Sequence, residues 1–155
     1  MNRWGVRAAT PGDAAAWVAM RVQLWPDGTT ADHAADVRRY FAGARREISF
    51  LAFADGVTPV GFAEATIRVD NVNGTSSSPV GFLEGWYVAA DWRGRGIGRA
   101  LVAAVELWTS EQGCSELASD ALLGNAASHR AHAACGFEET ERVVCFRKRL
   151  MEPPA

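Results

Sequence analysis

Residues 91–101 read DWRGRGIGRAL, and the reading of this stretch decides the fold. Gly94, Gly96 and Gly98 alternate with Arg95 and Ile97, Arg93 and Arg99 flank them, and an Ala-rich amphipathic run follows. Glycine loses more backbone freedom on folding than any other residue, so three of them at the mouth of a helix need a reason. One reason is an anion lying against bare N–H groups at a helix N-terminus. A P-loop would require GxxxxGK[ST], and no lysine stands here. A dinucleotide site requires GxGxxG with an acid about 20 residues on. Asp120 falls in that range, but the spacing is GxGxG and only 35 residues follow Asp120, too few for the strand–helix units still needed. What remains is another phosphate-bearing ligand, or a tight strand-to-helix turn with solvated arginines.

Working outward, Ile97, Leu101, Ala104, Val105 and Trp108 share one helical face, and Gly113 caps its end. VGFLEGWYV (80–88) before the glycines reads as a strand, as do ISFLAFA (48–54) and VGFAEATIRVD (60–70), with ADGVTP (54–59) as the turn between them. Trp4–Ala8 is a short first strand. Thr10-Pro11-Gly12-Asp13 starts a helix with Trp17, Val18, Met20 and Leu24 inward, and Trp25-Pro26-Asp27-Gly28 stops it. A second helix is predicted over 31–41, with Val37, Tyr40 and Phe41 inward. SELASD (115–120), a helix from Asn125 to Cys135 ended by Gly136, and a closing strand ETERVVCFRKRL (139–150) complete the chain. Consecutive strands on short turns predict an antiparallel front half, and the strand–helix–strand unit from 80 to 120 predicts one right-handed parallel crossover. The fold class is therefore α/β: a mixed, mostly antiparallel twisted sheet with helices on both faces. It forms one domain over 1–150, with 151–155 a frayed tail.

Composition narrows the function. The chain has 155 residues, 48% of them hydrophobic and 22% charged, which suits one globular domain. Net charge is −2, so a nucleic-acid surface is not expected. The N-terminal MNRWGVRAATPGD has no apolar leader core and no stretch can cross a bilayer, so neither export nor membrane association is expected. Cys114, Cys135 and Cys145 make an odd count without CxxC spacing, which fits free thiols in a reducing cytoplasm. His129 and His132 stand three apart on a helix but lack a third ligand at metal spacing, so no metal is expected. Lys148 is the only lysine.

Several acids stand where chemistry could use them. Alternation along 80–88 places Phe82, Glu84, Trp86 and Val88 on one face and Leu83 and Tyr87 on the other. Glu84 in so apolar a strand either pairs, with Arg68 as the partner, or faces a site. Glu64, Thr66, Arg68 and Asp70 share a face of the preceding strand. Asp120 ends a strand beside the glycine loop, where it caps a turn or meets a ligand. Glu138, Glu139 and Glu141 cluster after Gly136.

Arg93-Gly94-Arg95-Gly96-Ile97-Gly98 matches (R/Q)xxGx(G/A), and with LEGWYVAADWRGRGIGRAL (83–101) and ASDALLGNAASHRAHAACGF (118–137) it resembles the GNAT acetyltransferases, acyl-CoA N-acyltransferases in fold, over about residues 4–148. QLWP (23–26), VNGTSSSPVGFLEGWYV (72–88), ASDA (118–121) and GFEETERVVCFRK (136–148) narrow the resemblance to the small bacterial aminoglycoside 6′-N-acetyltransferases. The resemblance implies acetyl-CoA as cosubstrate, an aminoglycoside amine as acceptor, and a homodimer. It implies that Arg93, Gly94, Arg95, Gly96, Ile97, Gly98 and Arg99 hold the pyrophosphate, with the small Gly98 letting the phosphates come close. Asn125 is a further coenzyme contact, and backbone around Trp86, Tyr87 and Val88 receives the thioester. Trp25, Glu84, Asp120 and Glu141 are the implied substrate contacts. Asn71 takes a substrate position that is often aromatic in the family, and Trp86 adds bulk expected to lie beside Glu84. An ammonium cannot attack a thioester, so a base is required, with Asp120 first and Glu84 second. The family's tyrosine for protonating the thiolate is His132 here; His132, Tyr87 or an unprotonated departure are all open. Two rival functions share these features: acetylation of another polyamine or peptide amine, and a non-catalytic acyl-CoA-binding module.

Overall fold

The computed structural model describes residues 3–151 and 154–155. Strands β1 (Trp4–Ala8), β2 (Glu47–Ala54), β3 (Thr58–Arg68), β4 (Val80–Val88) and β5 (Leu117–Ser119) form one sheet in that order. Neighbours from β1 to β4 run antiparallel, while β4 and β5 run parallel. Helices α1 (Ala14–Leu24) and α2 (Thr30–Phe41) pack on one face, α3 (Ile97–Glu111) packs on the other, and α4 (Ala126–Ala134) follows β5.

The period of two in the strands divides the core. Leu51, Phe53 and Phe62 point to α1 and α2, where they meet Trp17, Met20 and Val37. The small side chains Ala52, Ala54, Ala63 and Ala65 point to α3 and let it approach closely, so Ile97, Leu101 and Val105 are buried against the sheet. A Thr-x-x-Asp box opens α2, and another opens the 3-10 turn Pro11–Asp13 that leads into α1. At Thr29 the hydroxyl accepts the Asp32 N–H at 3.1 Å, and Asp32 in turn accepts from Thr29. At Thr10 the N–H and hydroxyl donate to Asp13, and Arg7 adds two bonds to the same carboxylate.

Three expectations are corrected. The closing strand over 139–150 is absent: this segment has no strand pairing, and Val143, Val144, Phe146 and Leu150 lie exposed. A strand needs an edge to pair with, and β5 is only three residues long. The regular alternation along β4 also fails. A bulge opposite Glu64/Ala65 leaves Glu84 outside the paired register and reverses the phase beyond it. Phe82 and Glu84 stay with Arg68 on the α1–α2 face, while Trp86 and Val88 join Leu83 on the α3 face. Asp70 falls beyond the end of β3. The expected frayed tail, 151–155, falls partly on residues 152 and 153, which lie outside the described residues.

Candidate active site

The glycine turn presents backbone N–H groups at the start of α3. Gly94 and Gly96 adopt left-handed backbone at φ +75° and +87°, a conformation that favours glycine. Gly96 caps α3, whose first turn begins at the buried Ile97. Among the described residues, no backbone acceptor takes the N–H of Gly94, Arg95 or Gly96. Arg93 donates from Nε to the Val88 carbonyl at 2.9 Å, which ties the turn to the end of β4. Arg95 stacks on Trp92 at 4.4 Å, and Arg99 is exposed. Gly98 is small for a reason that the sequence did not reveal. Trp86 lies against it, donating from its indole to the Gly98 carbonyl at 3.1 Å, and a Cβ at Gly98 would sit 3.3 Å from that ring. Trp86 therefore braces the start of α3 and does not crowd Glu84.

A cleft of about 910 Å³ opens between the loop after β3, the end of β5, α4 and the C-terminal segment. Arg68, Asn71, Asp120 and Glu141 line it. Asp120, Asn71 and Glu141 are exposed there. Glu84 stands behind Arg68. The Arg68 guanidinium binds both Glu84 oxygens at 2.8 Å, Thr66 donates to one of them at 2.7 Å, and the guanidinium lies 3.5 Å from the Phe82 ring centroid. The pairing alternative is thus the one realised at Glu84, and of the two carboxylates considered as base only Asp120 faces the cleft.

Trp25 is likewise held from behind. Its ring packs on Phe62 and against the backbone of Gly85, stacks on His33, and lies 4.8 Å from the Arg21 guanidinium. It is only half-buried. Arg21 is the buried residue that sequence reasoning missed. It binds Glu64 and Asp36 and donates from Nε to His33 at 3.3 Å, while Trp17 donates to Glu64 at 2.9 Å. Burial pushes the Glu64 carboxyl above the usual carboxylate range, against the pull of Arg21 and the Trp17 indole. The only sequence signal for this network was a polar Arg21 within one turn of Trp17 and Met20.

Asn125 caps α4, its side-chain oxygen accepting the Ser128 N–H at 3.1 Å. His129 and His132 each face a backbone carbonyl, of Leu122 and Ser128. Among the described residues no three His, Cys, Asp or Glu side chains gather around a common point. Cys114 is buried, Cys135 half-buried and Cys145 exposed, and burial pushes the Cys135 thiol up.

β4 and β5 pair only from Gly81↔Leu117 to Leu83↔Ser119 and then part. Beyond Leu83 the β5-facing edge of β4 is open, with the glycine turn at its far end. A turn of free N–H groups, an open strand edge and an acidic cleft are the parts an acyl-CoA-dependent transferase would use. A family model confirms that class: residues 17–137 match the acetyltransferase (GNAT) family, and the chain belongs to it. Among its relatives is the aminoglycoside N(6′)-acetyltransferase type 1 of Stenotrophomonas maltophilia, 55% identical over 97% of this chain and 95% of that protein. The Serratia marcescens protein of the same name is 49% identical over 87% and 92%. Aminoglycoside N-acetyltransferase AAC(6′)-Iy in complex with CoA superposes with a TM-score of 0.90 at 43% identity, covering 96% of this chain and 97% of that one. The same enzyme with the bisubstrate analogue CoA-S-monomethyl-acetylneamine gives 0.89 at 44% identity, covering 95% and 99%.

Proposed function

We propose that this chain moves the acetyl group of acetyl-CoA onto the 6′-amine of an aminoglycoside, by direct attack within a ternary complex. The observation that carries the reading is the convergence of Asp120, Asn71 and Glu141 in one cleft beside the parting of β4 and β5. The names of the relatives support the acceptor, and the CoA complex supports the donor.

The pyrophosphate sits on the N–H groups of residues 94–99, favoured by the α3 dipole. The acyl arm runs along the open edge of β4, and N–H groups of Trp86 to Val88 receive the developing oxyanion. Asp120 binds the ammonium and passes its proton to solvent through a water. Glu141 and Asn71 orient the sugar, Trp25 borders it, and Glu84 acts through its pair with Arg68. Holding both reactants in place supplies most of the rate, so no acetyl-enzyme is needed. The working unit is a homodimer. Support comes from the C-terminal segment, whose apolar Val143, Val144, Phe146 and Met151 are 58–92% exposed and would be covered by a second copy. No helix among the described residues is long and apolar enough to cross a membrane, and use of acetyl-CoA supports a cytoplasmic reaction.

A CoA-release assay over a panel of amines tests the reading, with the product located by NMR. Acetylation of kanamycin-like compounds at the 6′-amine is expected. Turnover of simple polyamines or peptide amines but of no aminoglycoside would overturn it, and so would CoA binding without turnover.

A further inference from the structure

Asp120 and Glu84 hold equivalent places on the two strands that part. Leu83 and Ser119 are the last pair of the β4–β5 register, and Glu84 and Asp120 are each the next residue along. Neighbouring strands lie about 4.8 Å apart, so an amine brought to this opening would lie between two carboxylates. Two carboxylates grip an ammonium more tightly than one, but they also hold its proton. An opposite charge within about 4–6 Å favours the charged form enough to cut the share of free amine about tenfold or more. Only the free amine can attack.

The chain supplies a cation of its own at this point. Arg68, the last residue of β3, donates from Nε to Glu84 at 3.0 Å and from Nη2 to both carboxylate oxygens at 2.8 Å. The Phe82 ring lies under the guanidinium and fixes it from a second side. Arg68 lines the cleft, and its side chain is 43% exposed against 30% for Glu84, so the cation and not the carboxylate fronts the opening. The cleft's other arginine, Arg142, pairs with Glu139 on the C-terminal segment. Asp120 takes part in no ion pair among the described residues.

Resting on the functional reading above, we propose that Arg68 sets the charge the acceptor amine meets, offsetting Glu84 so that the amine faces one unpaired carboxylate, Asp120, and not two. Arg68 is thus a positioning residue: it acts through Glu84 and touches none of the reacting atoms. Its pair loosens the hold on a polycationic acceptor. The same pair leaves the reacting amine able to give up its proton through Asp120, and leaves the acetylated product less tightly bound. Grip and reactivity are opposed in this site, and one guanidinium sets the balance between them.

The test compares wild type, Arg68→Met, Arg68→Lys and Arg68→Met combined with Glu84→Gln, with kanamycin as acceptor. Calorimetry gives the acceptor Kd, and steady-state kinetics give KM and kcat. Methionine fills the space over Phe82 without a charge. In Arg68→Met, Kd and KM should fall by about tenfold or more, the scale of a hydrogen bond to a charged group. At saturating acceptor kcat should fall with them, by about tenfold. Simple damage to the site would raise KM instead. Arg68→Lys keeps the cation and should hold all three values nearer to wild type than Arg68→Met does. The combined variant removes both charges and should undo the tightening. A raised Kd in Arg68→Met, a tightening that survives the loss of Glu84, or a tightening with kcat unchanged would each overturn the proposal. Kanamycin bound but not acetylated by wild type defeats the functional reading and leaves Kd to judge Arg68. No binding by wild type and Arg68→Met alike overturns both.

Discussion

Asp120 and Glu84 begin as equals in the sequence, one just past the end of β5 and one on β4, and their surroundings separate them. Glu84 spends both oxygens on Arg68 and Thr66, whereas Asp120 is exposed in the cleft. Both Glu84 oxygens are occupied, so neither is free to meet a substrate amine. Asp120→Asn should therefore lower kcat by about 10²-fold, and Glu84→Gln by less than about tenfold. Steady-state kinetics of both variants ranks them, and the reverse order would transfer the base role to Glu84. A KM rise with kcat intact at Asp120 would make it a clamp for the substrate charge. Asp13 gives a second prediction at this scale. Arg7, backed by Thr10, holds the Asp13 carboxyl far below the usual range. A depressed carboxyl contributes stability above its unfolded pKa of about 3.9 and loses it as pH falls through the native value. Asp13→Asn should cost about 1 kcal/mol near pH 7, the scale of a helix cap. Denaturation curves of wild type and variant should begin to approach each other below about pH 4 and meet only as pH falls through the depressed native value.

At the scale of elements, the glycine turn makes the sharpest claim. Gly96→Asp puts a side chain on left-handed backbone at φ +87° and a negative charge against the expected phosphates. Acetyl-CoA affinity by calorimetry should fall by tenfold or more, and unchanged affinity would move the pyrophosphate elsewhere. Much of this scale was legible from residue pattern. The β4 limits match the predicted ones, and apart from the absent closing strand the other elements lie within a few residues of theirs, because period, caps and glycines are local signals. Non-local events were not legible. The bulge opposite Glu64/Ala65 depends on how β3 meets β4, and so Trp86 was placed on the wrong face. Gly98 pointed to a phosphate in the sequence, but its neighbour in space is an indole. The ion pair at Glu84 was one of two open readings, since sequence spacing alone cannot tell a partner from a ligand. The segment 139–150 alternates like a strand, yet alternation supplies only a face, not an edge to pair with.

For the whole molecule, two faces of the sheet are stabilised by different means. The α3 face is almost wholly apolar, its buried Thr109 hydroxyl donating within the helix to the Val105 carbonyl. The α1–α2 face contains Arg21 bound to Glu64 and Asp36. Breaking a buried pair costs more than building it gains, because one charge is left unpartnered. Arg21→Met should therefore destabilise the fold by about 3 kcal/mol or more, read from urea unfolding. Replacing Arg21 and Glu64 together by apolar residues should recover part of that loss. The homodimer proposed above gives the C-terminal segment a testable role. Phe146→Glu places a charge at a residue that is 92% exposed in a single chain, so folding of one copy should not notice it. Sedimentation should show a shift from dimer to monomer, whereas an unchanged dimer would place the contact elsewhere.

Every salt bridge among the described residues takes its cation from an arginine, and Lys148 is the only ε-amine in the sequence. A protein that holds an activated acetyl donor also exposes its own surface to that donor. A lysine in any of these pairs would be a nucleophile, and its acylation would erase the charge that the pair depends on. Guanidinium groups stay protonated at any physiological pH and do not compete for the acetyl group. The network beneath α1 and the latch on Glu84 are therefore chemically inert toward the enzyme's own reagent. Prolonged incubation with acetyl-CoA should add at most one side-chain lysine acetyl group, at Lys148, by mass spectrometry, and leave the unfolding midpoint where it was.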